Sequence, residues 1–266
     1  MSRSITDPYI ISGALGMIIS LLVSLYLGHK ASVPRKQIIT GYIFAIAGMF
    51  VGAHILFFIV NLPTFGEVYG PSIISVQTFI NAVFSASSGM VFYGGLYGAV
   101  LGVVIYTHKV HIDHRMILNI ASCGYPILHA FGRIGCTLGG CCYGVEYHGI
   151  CAIQYTEAHI NPGISDHIAD FPRFPVQPLE ALLEFAIAAV LIVLFIRTRT
   201  RYSLIAIYLF VYGIIRFSDE FLRGDAVRGL WGPFSTSQWI ALGSVIGVSI
   251  YWTAGHFKRS DSSANC

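Results

Sequence analysis

Three clusters of residues in this sequence have the types and spacing that could bind a charged ligand. The first is a glycine-rich run with one arginine, His129-Ala-Phe-Gly-Arg133-Ile-Gly135-Cys136-Thr-Leu-Gly-Gly-Cys141-Cys142-Tyr-Gly144. Glycine lets a backbone approach a ligand closely and adopt positive φ, and a guanidinium offers phosphate or carboxylate a rigid fork of donors. The run predicts an anion site at Arg133. The alternative is a glycine-rich helix break whose arginine extends to the aqueous interface.

The second cluster lies in an apolar segment and contains Tyr208, Tyr212, Arg216 and Glu220. Spacing of four residues places all of them on one helical face, where Arg216 and Glu220 can form an ion pair. Charged groups inside an apolar segment are costly and mark a functional site by default. The alternative is an interfacial anchor, which is the interpretation we prefer for the neighbouring Arg223.

The third cluster is Tyr93-Gly94-Gly95-Leu-Tyr97-Gly98, followed by Gly102. Glycines that recur every four residues are typical of closely packed membrane helices, and packing alone explains the pattern. Tyr93 has two equal interpretations. Its hydroxyl contacts a ligand, or its ring belongs to an ordinary interfacial belt of aromatic residues.

Cysteines supply a further group of candidates, Cys136, Cys141 and Cys142, with Cys151 downstream. Thiols outside the cytoplasm can persist as disulfides, cysteine and histidine are good zinc ligands, and a nearby arginine favours a reactive thiolate. Structural or inert thiols, a metal site and a reactive thiol therefore all remain open. We expect no metal or cofactor, because the spacing His-x6-Cys-x4-Cys-Cys matches no recognised ligand motif.

The composition of the chain indicates what kind of fold must position these clusters. Of 266 residues, 55% are hydrophobic and only 11% are charged, against roughly 25% charged residues in a soluble domain. A mean hydropathy of +0.69 excludes an ordinary soluble enzyme, and a net charge of +3 excludes a nucleic-acid partner. We predict an all-α polytopic membrane protein, one transmembrane domain over residues 1–266, with seven helices. The predicted spans are 9–27, 39–62, 78–107, 116–132, 178–196, 202–222 and 237–255.

Basic residues give this arrangement a direction across the membrane. With seven spans, ten of the 16 lysines and arginines fall on one side, which the positive-inside rule assigns to the cytoplasm. The amino terminus is then extracytoplasmic, the carboxyl terminus is cytoplasmic, and residues 133–177 form a small extracytoplasmic cap.

Four motifs of this sequence resemble those of the bacterial prolipoprotein diacylglyceryl transferases, in the same order. They are Tyr93-Gly94-Gly95-Leu96, Gly132-Arg133-Ile134-Gly135 with Gly144, Pro175-Val176-Gln177-Pro178-Leu179-Glu180, and Tyr212-Gly213 with Arg216, Glu220 and Arg223. The resemblance implies an enzyme of the bacterial inner membrane that moves the diacylglyceryl group of phosphatidylglycerol onto the lipobox cysteine of a prolipoprotein. A thioether forms, and glycerol 1-phosphate leaves.

The resemblance also implies roles for individual residues. Arg133 and Arg216 would bind the phosphate, Glu220 would support Arg216, and Tyr93 would accept the thiol proton, with His129 as the alternative base. The remaining predicted substrate-binding residues are Gly94, Gly95, Gly135, Cys136, Cys141, Gly144, Glu180 and Tyr212.

This sequence departs from the family within the predicted site. The family's usual asparagine is replaced by Cys136 and its glutamate by Cys141. These replacements leave two other functions open, a phospholipid-binding relative without transferase activity and a membrane thiol–disulfide protein.

Overall fold

A computed structural model of the chain describes residues 7–70, 75–79, 81, 90–156, 168–198, 203–225 and 230–264. Within these ranges, seven long helices are present: α1 (Pro8–Lys30), α2 (Arg35–Tyr69), α3 (Phe92–Lys109), α4 (His114–Leu138), α5 (Val176–Thr198), α6 (Leu204–Asp219) and α7 (Thr236–Ala264). A 3-10 turn (Glu220–Leu222) follows α6. The antiparallel strands β1 (Leu230–Trp231) and β2 (Phe234–Ser235) precede α7.

Three segments are long and apolar enough to cross a bilayer. They are Pro8–Lys30, Arg35–Leu62 and Val176–Thr198, judged by length and composition over the described residues. The predictions of an all-α fold and of helices suited to a membrane are therefore confirmed.

The helices differ in extent from the predicted spans: α2 and α7 continue seven and nine residues beyond the predicted ends at 62 and 255. Two further differences concern the predicted site. For the predicted span 78–107, α3 begins at Phe92, and residues 80 and 82–89 lie outside the described part, as do 157–167 of the predicted cap. Helix α4 continues through Pro126 to Leu138, six residues beyond the predicted end. Arg133 and Cys136 consequently lie on a helix, and within the glycine-rich run only Gly140 among the glycines has positive φ.

The chain divides into two compact units, of which one comprises Gly28–Leu118. In this unit α2 and α3 pack through glycines. A Cβ added at Gly98 would lie 2.1 Å from the carbonyl oxygen of Gly48, and one added at Gly94 would lie 2.3 Å from that of Gly52. Only residues without side chains allow two helix backbones to approach this closely, so the predicted packing role of the glycine pattern is confirmed.

The other unit comprises Met1–Leu27 and Asn119–Cys266 and contains two of the three predicted clusters. Within it, the Asn119 side-chain oxygen accepts a hydrogen bond of 2.9 Å from the backbone N–H of Leu204, at the start of α6. At the other end of α6, Gly144 pairs with Arg223 through the backbone. These contacts attach α6 to α4 and to the segment that follows α4.

Candidate functional site

Helix α5 carries a buried polar stripe at one face. Gln177, Glu180 and Glu184 are at most 1% exposed, and their spacing of three and four residues places them on one side of the helix. The rest of α5 is strongly apolar. Burying carboxylates is costly unless they are paired and hydrogen-bonded, so the partners of this stripe define the site.

Helix α4 supplies the basic partners. The Nη2 atom of Arg133 lies 2.6 Å from a carboxylate oxygen of Glu180. One ring nitrogen of His129, Nδ1, is 2.8 Å from Glu184 Oε1, and the other, Nε2, is 3.7 Å from Glu180 Oε1. His129 and Arg133 are four residues apart, so one face of α4 contacts the polar stripe of α5.

Helix α6 completes the same polar cluster with two tyrosines. The hydroxyl of Tyr208 donates to Glu184 at 3.2 Å, and that of Tyr212 donates to Glu180 at 3.1 Å. Their rings stack on each other at 5.6 Å, and Tyr212 makes an edge contact with His129 at 5.3 Å. Each carboxylate therefore accepts a tyrosine hydroxyl and faces a basic side chain.

The end of α6 and the 3-10 turn that follows it hold a second buried ion pair. Arg216 Nη2 lies 2.5 Å from Glu220 Oε2, the pair that their four-residue spacing predicts. Both side chains are about 4% exposed. Arg223, by contrast, binds Asp225 through two nitrogens, so it is held by a carboxylate of the loop that follows.

Both arginines retain donors that face the interior of the unit. Arg133 Nε and Arg216 Nη1 are buried, and neither has a hydrogen-bond acceptor among the described residues. Both arginines lie within electrostatic reach of Glu180. Buried donors without acceptors are rare in folded proteins. These two guanidinium groups can therefore bind an anion while each keeps its own carboxylate.

Three thiols form a group at the end of α4. The sulfur atoms of Cys136, Cys141 and Cys142 all lie within 4.8 Å of one another. Hydrogen bonds from the Cys136 and Cys141 thiols, together with the positive charges of Arg223 and Arg133, lower the pKa of Cys142 well below its ordinary value. The hydrogen bond with Cys136 lowers the pKa of Cys141, but the bond with Cys142 and burial outweigh it and raise this pKa to about 11.

The remaining predicted site residues are four glycines at close packing contacts and the buried Tyr93. A side chain at Gly94 or Gly95 would collide with or press on α2, one at Gly135 would press on Tyr9 of α1, and one at Gly144 would collide with the backbone of Phe174. Tyr93 is 1% exposed and packs edge-on against Phe92 within its own unit. This burial is at odds with the belt interpretation of Tyr93.

Two residues of the polar cluster were missed as site residues. Glu184 binds His129, and the Gln177 amide donates both to the carbonyl of Cys141 and to the hydroxyl of Tyr155, each at 2.9 Å. The signal was available, because Gln177, Glu180 and Glu184 are the only polar residues between Val176 and Ile196 and share one helical face.

Comparisons with a family model and with individual known proteins point to the same family. A family model described as prolipoprotein diacylglyceryl transferase matches residues 7–254. Similar relatives include phosphatidylglycerol–prolipoprotein diacylglyceryl transferase 2 of Clostridium perfringens, which is 28% identical over 92% of this chain and 89% of its own length. The phosphatidylglycerol–prolipoprotein diacylglyceryl transferase of Clostridium tetani is 26% identical over 90% of this chain and 89% of its own length. A shorter match, 31% identical over 54% of this chain and 55% of the relative, is to the enzyme of that name from Dehalococcoides mccartyi.

Proposed function

The chain belongs to the prolipoprotein diacylglyceryl transferase family, and on that premise we propose that it transfers the diacylglyceryl group of phosphatidylglycerol to the lipobox cysteine of prolipoproteins. The observation that carries the proposal is the pair of buried arginines, Arg133 and Arg216, each with a donor that has no acceptor among the described residues. Phosphatidylglycerol is an anionic lipid, so its phosphate would supply the missing acceptor.

The two arginines would act on the charge that develops during transfer. The acceptor thiolate attacks the glycerol carbon of the diacylglyceryl group, and the bond from that carbon to the phosphate oxygen breaks. The departing glycerol 1-phosphate gains negative charge, which fixed donors stabilise more than they stabilise the bound lipid. Glu180 and Glu220 would hold Arg133 and Arg216 in orientation, since a paired guanidinium cannot rotate freely.

The two predicted bases, His129 and Tyr93, have different roles in this proposal. Both ring nitrogens of His129 face carboxylates, which favours a role in orienting Glu180 and Glu184 and makes His129 a positioning residue in this proposal. Tyr93 keeps the proton-acceptor role that its family motif implies. A free tyrosine has a pKa of about 10, so this role requires help in deprotonating the thiol.

Arginine variants test the phosphate site. Membranes containing Arg133→Ala or Arg216→Ala should fail to lipidate a model prolipoprotein, whereas Arg115→Ala should lipidate normally. Arg115 lies on the same helix as Arg133 but is exposed near its start, so it is a matched control. The mass of the acceptor, measured before and after incubation with phosphatidylglycerol, reports the transfer.

Conservative variants separate loss of function from loss of folding. Arg133→Lys keeps the charge but loses the planar fork, and it should elute as a folded protein while transferring much more slowly. Full lipidation by Arg133→Ala would contradict the phosphate site. A wild-type chain that binds phosphatidylglycerol but never lipidates an acceptor would contradict transferase activity and favour a lipid-binding relative.

We also propose the full topology of seven spans, with the amino terminus extracytoplasmic, the carboxyl terminus cytoplasmic and the cap outside. Because α4 extends to Leu138 and α5 begins at Val176, the cap is reduced from residues 133–177 to residues 139–175. The distribution of basic residues supports this direction. Reporter fusions test it. A periplasm-active enzyme fused after residue 155 should be active, and the same enzyme fused to the carboxyl terminus should be inactive. The opposite pattern would reverse the topology.

A further inference from the structure

The cysteines that replace the family's usual residues converge at one point. Cys136 lies in the last turn of α4, and Cys141 and Cys142 lie in the turn that follows it. All three are partly buried, and their sulfur atoms lie within 4.8 Å of one another. In the described part of the chain, no fourth histidine, cysteine, aspartate or glutamate belongs to this group.

The backbone at the end of α4 explains why the thiols meet. The N–H of Cys141 donates to the carbonyl of Cys136 at 3.1 Å, and the N–H of Gly140 donates to that of Thr137 at 3.4 Å. These two bonds, with Gly140 in the left-handed region at φ 65°, are those of a Schellman motif. The motif places the residue after its glycine beside the third residue from the helix end, and here both are cysteines.

Cys142 is directed to the same point by an uncommon backbone conformation. Its φ of 55° lies in the left-handed region, which few residues other than glycine adopt. Such conformations cost free energy and are often found at functional sites. Gln177, at the buried start of α5, donates a hydrogen bond of 2.9 Å from its side-chain amide to the carbonyl of Cys141. The turn is therefore fixed from two sides with its thiols together.

Three converging thiols are suited to a thiophilic cation. Thiolate ligands favour zinc and other soft metals, and a Zn–S bond of about 2.3 Å in tetrahedral geometry separates two sulfurs by about 3.8 Å. The observed group requires a contraction of about 1 Å at most to reach that geometry. Three thiolates and Zn²⁺ carry one net negative charge, and Arg133 and Arg223 lie within electrostatic reach of Cys142.

We propose that Cys136, Cys141 and Cys142 bind Zn²⁺ and that the fourth coordination position takes the thiol of the acceptor protein. The second part rests on the proposed transferase function. Three protein ligands with one open position are the arrangement of catalytic zinc sites, and a thiol that coordinates a metal is deprotonated outright. The site would thus supply the activated thiol that a tyrosine alone supplies poorly.

The chemical balance of this step is simple. The acceptor cysteine releases its S–H proton to water when its sulfur binds the metal. That sulfur then uses an electron pair to form the bond to the glycerol carbon, and the carbon–oxygen bond to phosphate breaks with its electrons on the oxygen. Arg133 lies three residues before Cys136 on α4, so it shares a helical face with the proposed metal ligand. No oxidant or reductant takes part.

Metal content tests the first part of the proposal. The full chain, purified in detergent with its thiols reduced and air excluded, should contain one zinc per molecule after exposure to Zn²⁺ and gel filtration. Cys141→Ser and Cys142→Ser should lose most of this zinc. Cys151→Ser should retain it, because Cys151 is an exposed cysteine outside the group.

Three results would overturn the metal site. They are a reduced wild-type chain that retains no zinc, a Cys142→Ser variant that retains as much as the wild type, and a native chain in which mass tagging finds two of the three thiols joined as a disulfide. Cobalt gives a second measurement. The Co²⁺-loaded wild type should show thiolate-to-metal charge transfer and tetrahedral visible bands, and both should weaken in the serine variants.

Binding of the acceptor is measured on the same cobalt form. A lipobox peptide with its cysteine should shift the charge-transfer band, and the same peptide with serine should leave it unchanged. Identical spectra for the two peptides would overturn the open coordination position. Because this measurement uses no lipid, it is independent of transfer activity.

Activity then distinguishes the two proposals. If the wild type lipidates its acceptor and neither zinc removal nor Cys142→Ser slows the reaction, the inference fails and the transferase function stands. If the cysteine peptide shifts the cobalt spectrum but no acceptor is lipidated, the acceptor site stands and the transferase function fails.

Discussion

Removing the charge of Glu180 is the perturbation whose outcome the structure specifies best. This carboxylate lies 2.6 Å from Arg133, accepts the hydroxyl of Tyr212 and faces His129. Glu180→Gln keeps the shape and most hydrogen bonds but leaves the buried guanidinium without its counter-ion. Breaking a buried ion pair on one side costs about 3–5 kcal/mol. At about 1.4 kcal/mol per factor of ten, the unfolding equilibrium should shift roughly a hundred- to several-thousand-fold.

A matched pair of variants makes this measurement decisive. Glu146→Gln removes the same charge from an exposed pair with His148, whose side chains are 50% and 67% exposed, and should cost at most about 1 kcal/mol. Unfolding is followed by circular dichroism as denaturing detergent is titrated into mixed micelles. Arg133→Gln combined with Glu180→Gln should be less destabilised than the sum of the single variants. A Glu180→Gln chain as stable as Glu146→Gln would show that the buried ion pair does not stabilise the protein.

Two further substitutions test packing and the support of the thiol turn. Gly98→Ala should destabilise the chain by about 1–3 kcal/mol, because the new Cβ would lie 2.1 Å from a backbone oxygen of α2. Gly13→Ala is the control and should not destabilise the chain, because a Cβ there would have nothing within 4 Å. Equal stability of the two variants in the detergent titration would contradict the close packing. Gln177→Leu should cost about 1–3 kcal/mol, since it removes a fully buried donor from two acceptors. The exposed Gln154→Leu should change stability by less than about 0.5 kcal/mol, and a Gln177→Leu variant with equally small loss would contradict the support of the turn.

Sequence periodicity predicted the helices well where a segment is uniformly apolar. Predicted spans 9–27 and 178–196 lie within α1 and α5. The end of α4 was predicted too early because glycine and proline are weak helix formers. Tertiary contacts override that preference here. Gly124 lies against α1, where a Cβ would be 2.8 Å from the side-chain oxygen of Ser24, so the glycine is required for packing and the helix continues.

The charged residues of the site were easier to find than their partners. Arg133 and Arg216 stand out in any apolar segment, and the partner of Arg216 follows from its spacing within one helix. The partner of Arg133 is Glu180, 47 positions along the chain on another helix, and no periodicity within α4 identifies it. Proximity of the three thiols likewise depends on Gly140 adopting the left-handed region, which the sequence permits but does not require.

The charges of the polar cluster also account for how the proposed phosphate site could exist before a lipid binds. An isolated buried guanidinium would be costly, yet one fully enclosed by carboxylates could not bind an anion. Arg133 and Arg216 avoid both conditions, because each has one carboxylate partner and each retains a buried nitrogen without an acceptor among the described residues. The carboxylate partners neutralise the charge of the arginines before a lipid binds. The remaining donors would then offer an entering phosphate hydrogen bonds in an apolar interior from which water is excluded. In the proposed function, binding of the lipid phosphate would then follow from the buried donors themselves, since a cationic group would meet like charge there.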